Sequence, residues 1–185
     1  MSIPLHEIWY YADAKVTLYN SSNIVSHTFA DGKGVLSVAS NVDSLGQWLR
    51  GTAITNVEIA DNFTRIGDYA FRDCSNLALT SLPEGLTSLG NYAFRGCTNI
   101  KFLVVNSYIP PTLGVNTFSY TTFRIYVPSD KLNDYRSEWS SYASRIYQMS
   151  SISYIMTPDG FVYLTEDSIH RKRIVSQIRQ TATIL

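Results

Sequence analysis

Arg65-Ile-Gly-Asp-Tyr-Ala-Phe-Arg-Asp-Cys-Ser-Asn-Leu77 is followed, at an offset of 23 residues, by Ser88-Leu-Gly-Asn-Tyr-Ala-Phe-Arg-Gly-Cys-Thr-Asn-Ile100. A period in the twenties marks a chain that winds in coils, each able to bury its apolar face only against its neighbours. Outward from this pair, the Ile/Leu-Gly step recurs at Gly46, Gly67, Gly90 and Gly114, followed by Leu49, Phe71, Phe94 and Phe118. The spacing predicts four coils of 21–24 residues, the first shortened by one. Ile66, Leu89 and Leu113 are expected to point inward, with Ala70 and Ala93 small enough to pack beside the aromatic rings. Phe71, Phe94 and Phe118 are then placed to stack as a shared aromatic column. The glycines answer either a backbone conformation or a close approach that a side chain forbids.

Short strands are expected between these turns, with inward pairs Leu36/Val38, Val57/Ile59, Thr80/Leu82, Leu103/Val105 and Ile125/Val127. Strand alternation aims the intervening residues outward. One outward column reads Val35, Asn56, Leu79, Phe102 and Arg124; the other reads Ser37, Glu58, Ser81, Val104 and Tyr126. Together they predict one parallel sheet face that becomes less polar along the repeat. Leu79, Phe102, Val104, Arg124 and Tyr126 form its candidate partner-binding patch, since apolar residues aimed at water suggest a covered surface and interface cores are rich in aromatics and Arg.

The run from Ile66 through Leu77, continued by Leu82-Pro-Glu-Gly-Leu-Thr-Ser-Leu-Gly90, resembles the BspA-like leucine-rich repeat. The segments Pro110-Pro-Thr-Leu-Gly114 and Ile125-Tyr-Val-Pro128 resemble the last coil of such proteins. The likeness covers roughly residues 34–149 and departs in Leu45-Gly-Gln-Trp-Leu-Arg-Gly-Thr52, which lacks the Ala-Phe step and the Cys. The resemblance implies an α/β-type repeat solenoid serving as a binding or display scaffold, on bacterial surfaces or in phage-encoded proteins. It brings no family-wide catalytic residues.

Open ends of such a stack must be closed, or their edges pair with other chains. Residues 1–33 are read as an N-terminal β cap with strands at Glu7–Tyr11, Val16–Tyr19 and Ile24–Phe29, and Asp31-Gly32 as the turn into the solenoid at 34–128. Trp9 and Tyr10 are expected either to pack or to form a sugar platform. Residues 129–149 form a helical cap, Ser129 as N-cap, with Leu132, Tyr135, Trp139 and Tyr142 as its apolar stripe. Residues 150–185 lie beyond the family pattern and read as a hairpin around Thr157-Pro-Asp-Gly160, then a basic helix. Tyr154, Phe161, Tyr163, Arg171, Lys172, Arg173, Ile174 and Ile178 are its candidate docking residues, since a lone hairpin is marginal in water. This tail folds back on the cap or docks on another chain, which makes the protein oligomeric or part of a larger assembly.

Fifteen basic and fifteen acidic residues cancel, so no global field draws the chain to nucleic acid or membrane. The basic tail lacks interleaved aromatics and reads as a solvated helix face rather than a nucleic-acid site. No apolar run is long enough to span a bilayer, and the N-terminus has no secretory-signal pattern. His6, His27 and His170 share no metal-ligand spacing, and the repeats give Cys74 and Cys97 no further ligands. The two cysteines, equivalent in their repeats, are expected to be buried neighbours, with a bridge between them geometrically open. Glu58 is the only carboxylate in the outward columns, Gly32-Lys-Gly34 lacks the rest of a phosphate-binding motif, and no nucleophile elbow is present. No cofactor, metal or catalytic residue is expected. The reading is a non-enzymatic component of a phage virion that anchors to other virion or surface proteins and meets host protein or glycan. The alternative is a bacterial interaction or adhesion module at the cell surface or in the cytoplasm.

Overall fold

The computed structural model describes residues 3–79 and 81–149. Its strands are β1 (Glu7–Tyr11), β2 (Ile24–Ala30), β3 (Lys33–Val38), β4 (Ser44–Leu45), β5 (Asn56–Ile59), β6 (Arg65–Ile66), β7 (Ser88–Leu89), β8 (Phe102–Val104), β9 (Thr112–Leu113) and β10 (Arg124–Val127). Helix α1 (Leu132–Glu138), a 3-10 turn over Ser140–Arg145 and β11 (Ile146–Gln148) complete the described chain.

Successive repeats lie on one another in register. The two-residue strands β4, β6, β7 and β9 form one parallel sheet in that order, pairing Leu45 with Ile66, Ile66 with Leu89, and Leu89 with Leu113. On the turn side, Phe71 N–H donates to Ala93 O (2.8 Å) and Phe94 N–H to Thr117 O (2.9 Å). The aromatic column is present: ring centroids are 5.2 Å apart for Phe71–Phe94 and 5.9 Å for Phe94–Phe118, and all three rings are buried. Such contacts add to the apolar burial of each ring.

The glycine step is explained by close approach. A Cβ at Gly90 would lie 2.4 Å from Asp68 N and 2.5 Å from Gly67 C, and one at Gly114 would lie 2.4 Å from Asn91 N. Neither glycine has a left-handed backbone, so contact between coils, rather than backbone freedom, excludes a side chain. Cys74 and Cys97 are buried free thiols, each donating to a carbonyl of the preceding coil: Cys74 Sγ to Leu49 O (2.9 Å) and Cys97 Sγ to Phe71 O (3.0 Å).

The sheet face differs from the expected one in two respects. First, β1 runs antiparallel between β3 and β5, giving the order β2-β3-β1-β5, so Leu36 and Val57 are not strand neighbours. Alternation on β1 buries Ile8 and Tyr10, and the Tyr10 ring occupies the space a side chain on its cross-strand partner Gly34 would need. This antiparallel insertion covers an edge of β5 that would otherwise template further pairing. Second, the parallel face is confined to β8, β10 and β11, with Ser81 joined to Val104 by a single bridge. The segment Val16–Tyr19 is not a strand; Val16 and Leu18 pack on the core while Tyr19 N–H donates to Trp48 O (2.9 Å).

Residues after β10 close the other end of the column. Trp139 and Tyr142 pack against Phe118 at 5.7 and 5.2 Å, Trp139 Nε1 donates to Pro111 O (2.7 Å) and Tyr135 Oη to Ser107 O (2.7 Å). Ser129 does not cap a helix: the segment opens with a 3-10 turn in which Pro128 O already takes Lys131 N–H (2.9 Å).

Candidate functional site

The turns present a feature that the strand alternation did not reveal. Two turn positions take a left-handed backbone in each of the last three coils, and the second of them also in the first coil. The first holds Tyr69 (φ 60), Tyr92 (φ 55) and Asn116 (φ 54); the second holds Gly51 (φ 68), Asp73 (φ 61), Gly96 (φ 74) and Tyr120 (φ 56). Glycine and asparagine are the relaxed residues for such backbone, whereas a bulky side chain there costs about 1–2 kcal/mol. Tyr69, Tyr92 and Tyr120 therefore sit where strain must be offset by what their side chains do.

Those side chains build an alternating ridge with three equivalent arginines. Tyr69 and Tyr92 stack with centroids 5.4 Å apart and planes 10° from parallel. Arg50 lies over Tyr19 (4.5 Å) and Tyr69 (5.3 Å), Arg72 over Tyr69 (5.6 Å), and Arg95 over Tyr92 (5.8 Å) and Tyr120 (4.8 Å). Cation–π contacts of this kind contribute about 0.5–1 kcal/mol each at exposed sites and offset part of that strain. Tyr120 remains 74% exposed. A shallow polar groove of about 430 Å³ runs along the ridge, with Asn116 and Ser119 beside the aromatic and arginine residues. The Oγ of Ser119 is buried with no hydrogen-bond partner in the protein.

The residues singled out from the sequence are distributed differently. Leu79 is 4% exposed and belongs to the main core, so it does not face outward. Val104 and Tyr126 do not present a free apolar patch, because they form a small buried cluster with Met149, flanked by Phe102 and Tyr147. A later segment of the same chain thus closes part of that face, since β11 extends the ladder and brings Tyr147 beside Tyr126 (5.9 Å). Arg124 is exposed, its guanidinium 5.6 Å from the centre of the Tyr147 ring. Tyr154, Phe161, Tyr163, Arg171, Lys172, Arg173, Ile174 and Ile178 lie outside the described residues, as does Thr80. Trp9 and Tyr10 do not form a platform: Tyr10 is fully buried and hydrogen-bonded to His27 Nε2 (2.7 Å), while Lys33 Nζ sits 3.0 Å over the Trp9 ring.

The polar chemistry of the interior is structural. Burial pushes both cysteine thiols up, Cys97 the further, so neither is held as a reactive thiolate. Among the described residues no group of three His, Cys, Asp or Glu side chains is placed to hold a metal, and no helix is long and apolar enough to cross a membrane.

The family model for the BspA type leucine-rich repeat region, built on six copies, matches residues 15–125 and 46–175. The chain belongs to the BspA-type leucine-rich repeat family. The match extends beyond both ends of the 34–149 stretch that carries the resemblance, into the segment after 150 expected to lie outside the pattern. Curated proteins and solved structures yield no match to this chain. Membership brings the repeat fold and a role in protein binding or adhesion.

Proposed function

We propose that this chain is a short, capped leucine-rich repeat solenoid without enzymatic activity, and that it meets its partner through the Tyr–Arg ridge. The observation that carries the reading is the recurrence of tyrosine in left-handed backbone at Tyr69, Tyr92 and Tyr120, where equivalent coils use Gly51, Gly96 or Asn116. Backbone strain kept on a surface, by side chains of the types that dominate binding hot spots, points to contact with a partner. The non-enzymatic part is supported by the burial of both thiols, the strongest nucleophiles among the described residues.

Tyr92→Asn tests the ridge without threatening the fold, because Asn116 already occupies the equivalent place in the next coil. Lost stacking and relieved strain offset one another, so the melting temperature should stay within a few degrees. The readout is saturable attachment of the labelled chain to intact cells of the source bacterium, or of the host where the gene is carried by a phage. Wild-type attachment with loss in Tyr92→Asn supports the reading; equal attachment by both removes the ridge from it.

The finer placement, a component of a phage particle anchored through residues 150–185, is part of the same proposal and follows from what the sequence resemblance implies. Mass spectrometry of purified particles tests it, and absence of the protein from them overturns it.

A further inference from the structure

Resting on the reading of the ridge as the contact surface, the geometry points to its ligand class: we infer that the ridge binds an anionic polysaccharide lying along the stack, with its acidic groups facing Arg50 and Arg95. Four features of the ridge converge on that chemistry.

The first is charge. Arg72 is paired with Asp73 (3.0 Å), but Arg50 and Arg95 have no carboxylate partner among the described residues and lie over tyrosine rings. An arginine so placed keeps its planar N–H donors for a carboxylate or sulfate. The second is the direction of the faces. Tyr69 and Tyr92 turn their faces to each other and to guanidinium groups, so the stack offers hydroxyl edges and not a flat apolar platform. The third is the lining. Tyr, Arg, Asn and Ser surround an open groove with no aliphatic pocket, whereas protein hot spots seat in well-packed, desolvated pockets.

The fourth is the repeat. Arg50 and Arg95, the two arginines without a carboxylate partner, stand two coils apart on one ridge, so an extended polyanion meets both.

The test is titration of the full chain, at low salt, with four probes: polygalacturonate, neutral dextran, polyglutamate and duplex DNA. Polygalacturonate should bind, dextran should not, and affinity should fall as salt rises, because exposed charges are screened. Arg95→Ala should weaken polygalacturonate binding about tenfold or more, the scale of a lost hydrogen bond to a charged group. Lys101→Ala, an exposed cation outside the groove, should leave it unchanged. Equal binding of polyglutamate or DNA, absence of polygalacturonate binding, or indifference to Arg95→Ala overturns the inference. If cell attachment is still lost in Tyr92→Asn while polygalacturonate fails to bind, the ridge stands as a contact surface and only the ligand class falls.

Discussion

Gly90→Ala adds a single methyl group at the tightest contact between coils. The new Cβ would meet Asp68 N at 2.4 Å, Asp68 Oδ1 at 2.5 Å and Gly67 C at 2.5 Å, two of which are backbone atoms of the coil below. No rotamer change relieves a clash with backbone, so the coils must separate locally. That separation strains the Gly90 N–H bond to Ile66 O (2.7 Å) and the Asn91 N–H bond to Asp68 Oδ1 (2.7 Å). Overpacking alone costs about 1–3 kcal/mol, and each weakened hydrogen bond adds about 1 kcal/mol. A loss of about 3–5 kcal/mol outweighs the gain of about 0.4–1 kcal/mol that Gly→Ala brings through the unfolded chain and leaves a net loss of about 2–4.5 kcal/mol. At about 2–4 °C per kcal/mol for a chain of this size, the melting temperature should fall by roughly 4–18 °C. Gly85→Ala is the internal control: its Cβ would meet Asp61 O at an ordinary 3.8 Å, and stability should hold or rise slightly. Thermal melts followed by circular dichroism on the two variants decide the matter. Equal melting of Gly90→Ala and wild type would refute the close stacking of coils at the glycine step.

Three further outcomes follow from the same contacts. Phe94→Ala removes the middle ring of the column and should cost about 3–5 kcal/mol by urea unfolding, more than any substitution on the ridge. Cys74 and Cys97, buried and pushed up, should react slowly with a thiol reagent in the folded protein and rapidly in denaturant, with two equivalents consumed. Burial, helped by the Lys15 ammonium, holds His27 below its ordinary value of 6.5. The unfolded chain therefore takes up that proton first, so stability is intact above pH 6.5 and declines as pH falls below it. Melting temperature against pH should show a shallower decline over that interval in His27→Gln than in wild type.

The interior was legible because its cause is local and repeated. The spacing of Phe71, Phe94 and Phe118 announced the aromatic column, and alternation placed Leu103, Val105, Ile125 and Val127 inside, where all four are buried. The insertion of β1 between β3 and β5 was not legible, because strand pairing is set by tertiary partners and Glu7–Tyr11 reads the same on either side of β3. Val104 and Tyr126 were misjudged for a related reason: alternation gives the face of the sheet but not what lies over it, here Met149. The ridge left a trace in the sequence. Tyr69/Tyr92 and Arg72/Arg95 keep their identity across the repeat, and the substitution of Gly96 by Asp73 and Tyr120 at equivalent places marks a turn of unusual backbone. What the trace lacked was the sign of φ, which separates a tyrosine kept for packing from one kept against strain.

The stack itself is tested most directly in solution by nuclear Overhauser contacts between the rings of selectively labelled phenylalanines. Separations of 5.2 and 5.9 Å predict cross-peaks for Phe71–Phe94 and Phe94–Phe118. None should connect Phe71 with Phe118, which are separated by the Phe94 coil. Absence of either neighbouring contact, or a direct one between Phe71 and Phe118, would contradict the in-register piling of coils on which the ridge and its proposed role depend.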